Sequence, residues 1–180
     1  ALKGFAALPE GVRNLKPLLK TRLRFASEVG GAEFTAALGA FQAGLAGDPA
    51  LDFTVIEPLI AQRRFDDALA AIDRFERRLG GDPYLHSLRS GVWYEQGNLA
   101  KAKELCRVAI AADPSLEDVY WTLVGYAAEE KDFKELSRLL TTLENTLKVR
   151  IGDISNTPLY TDFVRSKEYV AWNGQRKDTY

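Results

Sequence analysis

The stretch Gly97–Pro114 reads GNLAKAKELCRVAIAADP, and it decides the fold. Gly97-Asn98 has the chemistry of a turn, because glycine takes positive φ without a Cβ penalty. Leu99, Ala102, Leu105, Cys106, Ala109 and Ile110 then recur at three- and four-residue steps. That is the spacing of one face of an amphipathic helix. Asp113-Pro114 stops it. Upstream, Asp82 is suited to N-cap a preceding helix, with Pro83 at the first helical position, where its missing N–H costs nothing. That helix is expected to run to Gln96, so residues 83–116 read as a helix–turn–helix.

The unit recurs. Gly47-Asp48-Pro49 returns as Gly81-Asp82-Pro83, 34 residues on. Phe65, Leu99 and Phe133 fall in one column at that offset, Ala68, Ala102 and Leu136 in another. Leu38, Ile72, Cys106 and Leu140 align, as do Phe41, Phe75, Ala109 and Leu143, and Phe25, Leu59, Trp93 and Ala127. Four units follow: 15–48, 49–82, 83–116 and 117–150. Strand signals are nearly absent, with no long Val/Ile/Thr alternation and no Asn-Gly hairpin turn.

These residues resemble the tetratricopeptide repeat, a 34-residue helix–turn–helix. In 83–116, Trp93 stands at the aromatic column and Gly97 at the turn. Ala102 and Ala109 stand at the small columns and Pro114 at the terminal proline. The likeness is good over 49–130 and weaker over 15–48 and 131–150. Arg89 and Ser90 replace a preferred Leu and Gly, Leu136 and Leu143 replace small residues, and Pro58 falls inside a helix that it should kink. The resemblance implies an all-α fold, a right-handed α-α superhelix of such repeats over 15–150. Residues 1–14 are then an N-terminal extension and 151–180 a connector and capping helix. One pair cannot bury its apolar face alone, so the array needs a cap. The expected cap is a helix over 158–172, N-capped by Thr157 and stopped by Asn173-Gly174, with Leu159, Phe163 and Val170 on its apolar face. Residues 146–157 connect it to the array.

In the resembled family the first helix of each pair lines a concave binding surface. Carried onto this sequence, those positions are Ala50, Phe53, Glu57, Ile60 and Ala61; Tyr84, Ser87, Gly91, Tyr94 and Glu95; and Asp118, Trp121, Gly125, Ala128 and Glu129. The resemblance thus implies an aromatic, mildly acidic peptide-binding groove. Its site residues are Phe53, Glu57, Tyr84, Ser87, Tyr94, Glu95, Trp121 and Glu129. Tyr and Trp are frequent anchors at interfaces, and Gly91 and Gly125 leave room for a partner's backbone. The Lys, Asn and Arg that clamp a terminal carboxylate in chaperone-binding members are missing from these positions. The other reading of the aromatics is core packing.

Composition narrows the functions. The chain has 180 residues, 46% apolar and 27% charged, with 24 Lys plus Arg against 25 Asp plus Glu, a net charge of -1. That suits one globular domain and gives no reason to expect nucleic acid. No apolar run approaches the roughly 18 residues of a membrane span. One Cys and one His exclude an internal disulfide and His-pair metal motifs. With no Met and Ala at position 1, the sequence is expected to be a mature or trimmed form, or one domain of a longer chain. His86 reads as structural or surface, and Cys106 as a small buried hydrophobe. Asp66-Asp67 and Glu117-Asp118 suit helix N-termini, where the dipole favours acids. Glu129-Glu130 ends a helix. No phosphate loop or G-x-S-x-G nucleophile occurs. No enzyme, cofactor or metal is expected.

Charge is uneven along the chain. Residues 1–24 carry six bases against Glu10, and 113–145 carry eight acids against three bases. This asymmetry is compatible with self-association. Arg63, Arg64, Arg74, Arg77 and Arg78 form a further basic cluster, in which Asp73 and Arg77 are spaced to pair. The expected function is non-catalytic protein or peptide binding. The alternative is an intramolecular scaffold or oligomerisation domain whose groove is covered by its own C-terminal helix.

Overall fold

The computed structural model describes residues 2–48 and 50–177; Ala1, Pro49 and residues 178–180, which enter the N-terminal extension, the repeat and the C-terminal extension, lie outside the described residues. Those described are helical, with no β-strand among them. The helices are α1 (Leu2–Ala6), α2 (Glu10–Arg13), α3 (Lys16–Val29), α4 (Gly31–Gly44), α5 (Ala50–Ala61), α6 (Phe65–Leu79) and α7 (Tyr84–Glu95). They continue with α8 (Leu99–Ala112), α9 (Glu117–Glu129), α10 (Phe133–Asn145), α11 (Thr161–Val164) and α12 (Lys167–Lys177). The chain forms two compact units, Ala1–Gly97 and Asn98–Tyr180, whose boundary falls in the turn between α7 and α8.

The 34-residue period is visible in the helix starts. Helices α3, α5 and α7 begin at 16, 50 and 84; α4, α6, α8 and α10 begin at 31, 65, 99 and 133. Local chemistry sets this phase. Asp48 and Asp82, 34 residues apart, each accept through Oδ1 the backbone N–H two residues on, at 3.0 and 2.9 Å, and Asp113, three residues ahead of that column, does the same at 2.9 Å. Within each pair a left-handed residue turns the chain: Arg63 (φ 54°), Gly97 (φ 82°) and Lys131 (φ 58°). The next residue then caps the second helix. Asn98 accepts from the Lys101 N–H at 3.0 Å and Asp132 from that of Glu135 at 3.1 Å. Arg64, in the same column, cannot accept, and instead donates to Asp67 at 2.7 Å.

In the first unit α3 lies on α4, α5 on α6, α3 on α5 and α6 on α7. Its core holds Leu23, Phe34, Phe41, Val55, Leu59, Ala68, Ile72, Leu85 and Val92, all at most 3% exposed. Helix α5 continues through Pro58 to Ala61. One buried acid interrupts the apolar interior. Asp52 is 1% exposed, with Arg74 Nε at 2.7 Å from Oδ1 and Arg78 Nη2 at 3.7 Å from Oδ2. The basic cluster of the sequence is thereby mostly engaged: Arg64 on Asp67, Arg74 and Arg78 on Asp52. Asp73 pairs not with Arg77 but with Arg89 of α7, at 2.7 Å, because α7 lies against that face of α6.

In the second unit α8 lies on α9 and α9 on α10. The repeat columns Ala102, Cys106, Ala109, Leu136, Leu140 and Leu143 are fully buried. The connector is not merely polar: Ile151 and Ile154 are buried as well. The expected continuous helix over 158–172 is corrected. A 3-10 turn, Pro158–Tyr160, leads into α11, and the chain breaks before α12. Ser166 Oγ accepts the Tyr169 N–H at 3.1 Å and starts α12 afresh. Thr157 makes no side-chain cap, and α12 runs on past Asn173-Gly174 because Gly174 does not adopt positive φ. The break turns the apolar face. Phe163 and Trp172 are buried, whereas Leu159 and Val170 are 46% and 68% exposed.

Helix α12 is fixed on α10 by an aromatic and ionic cluster. Phe163 meets Phe133, Tyr169 and Trp172 at centroid distances of 5.8, 5.5 and 6.2 Å. Trp172 Nε1 donates to Glu144 at 3.1 Å, Arg176 pairs with Glu144 at 2.7 Å, and the Arg176 guanidinium lies 4.4 Å from the Trp172 ring. Arg176 also donates to the Ile151 carbonyl.

Candidate functional site

Six of the eight residues assigned to the groove lie in the first unit: Phe53, Glu57, Tyr84, Ser87, Tyr94 and Glu95. Trp121 and Glu129 lie in the second. In the first unit, Phe53 and Tyr84 are 47% and 37% exposed, Glu57 and Glu95 are exposed, and Ser87 and Tyr94 are half-buried. Phe53 is not wholly free, since its ring meets Phe75 of α6 at 5.5 Å. Trp121 is half-buried and its Nε1 donates to Glu117 one turn earlier, at 3.1 Å. Glu129 is exposed. A Cβ built on Gly91 or Gly125 meets nothing within 4 Å, so no internal contact calls for glycine at either position.

Two adjoining clefts open along the first helices of the first unit. One, about 380 Å³, lies between α3 and α5 and is lined by Lys20, Leu23, Arg24, Thr54, Glu57 and Pro58, among others. The other, about 250 Å³, is lined by Lys20, Phe53, Thr54, Ile56, Glu57 and Leu88, and so reaches α7. They share Lys20, Thr54 and Glu57. The lining is apolar with a few charges, the usual character of a recognition site.

Lys20 and Arg24 are absent from the groove positions assigned from the sequence, which begin at residue 50. The 34-residue offset would bring Leu19 and Leu23, the counterparts of Phe53 and Glu57, to the same face. In α3 both leucines are buried, together with Ala26. The three-to-four spacing of 19, 23 and 26 holds that stripe inward. The exposed line therefore moves by one residue, to Lys20 and Arg24. That signal is present in the sequence. Thr54 and Leu88 carry no comparable mark.

The charged groups nearby are mostly structural. Asp48 accepts a hydrogen bond from Lys16, and that contact, with the Ala50 N–H, holds its carboxyl below the ordinary range. Burial works against the Arg89 charge, but hydrogen bonds to Glu76 and Asp73 outweigh it and raise its pKa. In the second unit the Arg138 hydrogen bond holds Glu135 low. Asp162 is held low by Lys131, 2.6 Å away.

Cys106 is a fully buried thiol, and His86 is half-buried with its Nδ1 lacking a hydrogen-bond partner among the described residues. No group of three His, Cys, Asp or Glu is placed to hold a metal ion among the described residues. No helix among them is long and apolar enough to cross a membrane. Comparison with protein-family models, with curated protein sequences and with solved structures finds no match to this chain.

Proposed function

We propose that the chain is a non-catalytic module that binds a protein or peptide segment along the first helices of its pairs. In this reading the pairs are tetratricopeptide-like and stack as a right-handed superhelix closed by the C-terminal helix. The observation that supports it is the pair of adjoining clefts on α3, α5 and α7, edged by the exposed Phe53 and floored by Ile56 and Leu88. An exposed Phe beside a lined cleft offers a partner an apolar anchor point. Aromatic anchors of this kind cost about 2 kcal/mol or more of binding when truncated.

The test is a pull-down with the immobilised chain, followed by titration of the recovered partner. Phe53→Ala and Tyr94→Ala should each weaken binding, the first by about 30-fold if Phe53 is the central anchor. Circular dichroism should show both variants folded. Unchanged affinity in both would overturn the assignment of the groove.

A further inference from the structure

We infer that the α3–α5–α7 face takes its partner segment in one direction, with an acidic side chain against Lys20 and Arg24 and an apolar side chain on Phe53, Ile56 and Leu88. This rests on the binding role proposed above and adds the partner's chemistry. The occupant is a stretch of another protein with an Asp or Glu to one side of a large apolar residue.

The argument is charge complementarity across an apolar floor. Lys20 borders both clefts and has no ion-pair or hydrogen-bond partner among the described residues. One turn earlier, Lys16 is occupied by Asp48 at 3.0 Å. Arg24, one turn later, rests its guanidinium 5.1 Å from the Phe25 ring and meets no carboxylate among the described residues. On the second-helix side of the same unit, Arg64, Arg74 and Arg78 all face acids. Of the α3 cations that meet no carboxylate among the described residues, Arg22 lies against Phe5 at another cleft, whereas Lys20 and Arg24 border the α3–α5 cleft, where Glu57, the one acid lining it, stands on α5. Lys20 and Glu57 line both clefts, so the ends differ in Arg24 on one side and Phe53, Ile56 and Leu88 on the other, and a segment reversed end for end would set its acid on that apolar lining and its apolar side chain beside Arg24. A carboxylate desolvated against apolar lining rejects the wrong orientation more than the matched charge adds affinity.

The experiment is selection of random peptides of about twelve residues on the full chain. They are displayed through their C-termini, so that no free terminal carboxylate is present. Selected sequences should carry Asp or Glu in constant order relative to a large apolar residue. The double variant Lys20→Glu/Arg24→Glu should bind those peptides about tenfold more weakly and select Lys or Arg at the acidic position instead. Lys20→Ala/Arg24→Ala should fall between, and both should keep the wild-type circular dichroism, since the two side chains are exposed. Peptides that share an apolar anchor but show no acidic preference, or a basic one, would overturn this inference and leave the groove standing. No enrichment over a blank surface would overturn both.

Discussion

Removing Arg74 should harm the protein more than removing the acid it serves. Asp52 is 1% exposed and Arg74 42%, at a separation of 2.7 Å. In Arg74→Ala the carboxylate stays buried with only Arg78 nearby, at 3.7 Å. Breaking a buried pair from one side costs about 3–5 kcal/mol. The half-exposed guanidinium and the remaining Arg78 bring the expected loss down to about 2–3 kcal/mol. In Asp52→Asn the amide oxygen can still accept from Arg74 Nε while Arg78 turns to water, so the expected loss is about 1 kcal/mol. The double variant Asp52→Asn/Arg74→Ala holds no buried charge and should lie within about 1 kcal/mol of Asp52→Asn alone. Urea denaturation followed by circular dichroism measures all three. The singles should then be non-additive by about 1–3 kcal/mol, with the acid substitution partly rescuing the arginine one. Additive losses, or Asp52→Asn as costly as Arg74→Ala, would show that the pair is not governed by the burial of its acid.

Three further outcomes follow from the described geometry. Trp172→Ala removes a buried ring and the donor to Glu144, and should cost about 3–5 kcal/mol, with loss of amide protection in α10 by hydrogen exchange. Gly97→Ala should lower stability by about 1 kcal/mol. Arg63→Gly, at the equivalent left-handed turn, should raise it by about 0.5 kcal/mol once glycine's extra chain entropy is counted; equal signs in the two melting temperatures would refute the strain argument. Glu135, held low by Arg138, contributes stability that is present above the ordinary carboxyl pKa and disappears as pH falls through its folded value. Glu135→Gln should therefore flatten the acid limb of a pH titration below about pH 4.5.

Most of the helix pattern is legible because local chemistry sets it. Gly97-Asn98, Leu99 and Ala112 bound a turn and a helix where the residues place them. The repeat columns fill the two interiors because a residue 34 positions on returns to the same helix face. The C-terminal segment misleads for the opposite reason. Asn173-Gly174 has the chemistry of a stop, but Arg176 reaches both Glu144 and Ile151 only if α12 continues, and that distant grip outweighs a local signal. Ser166 then looks ordinary in sequence and becomes the cap. In the candidate site, Phe53, Glu57 and Tyr84 are exposed as their columns require. Lys20 and Arg24 escape the columns because the buried stripe of α3 is turned by one residue relative to that of α5, although the helices start in phase. Periodicity transferred from one pair to the next cannot register such a slip; the pattern of buried leucines within α3 can.

The uniform pair length has a consequence for how the chain reaches this structure. From α3 to α7 the main helix contacts are between neighbours in sequence or between helices one 34-residue period apart, so this core closes mostly short loops. Loop closure is the slow, entropically costly part of assembly, and chains with short-range contacts fold in microseconds to milliseconds. Each hairpin can start independently, and a neighbour then completes its apolar face. The Trp172 cluster is different, since it needs α10, the connector and α12 together. It should form late, and substitutions there should speed unfolding while leaving the refolding rate nearly unchanged.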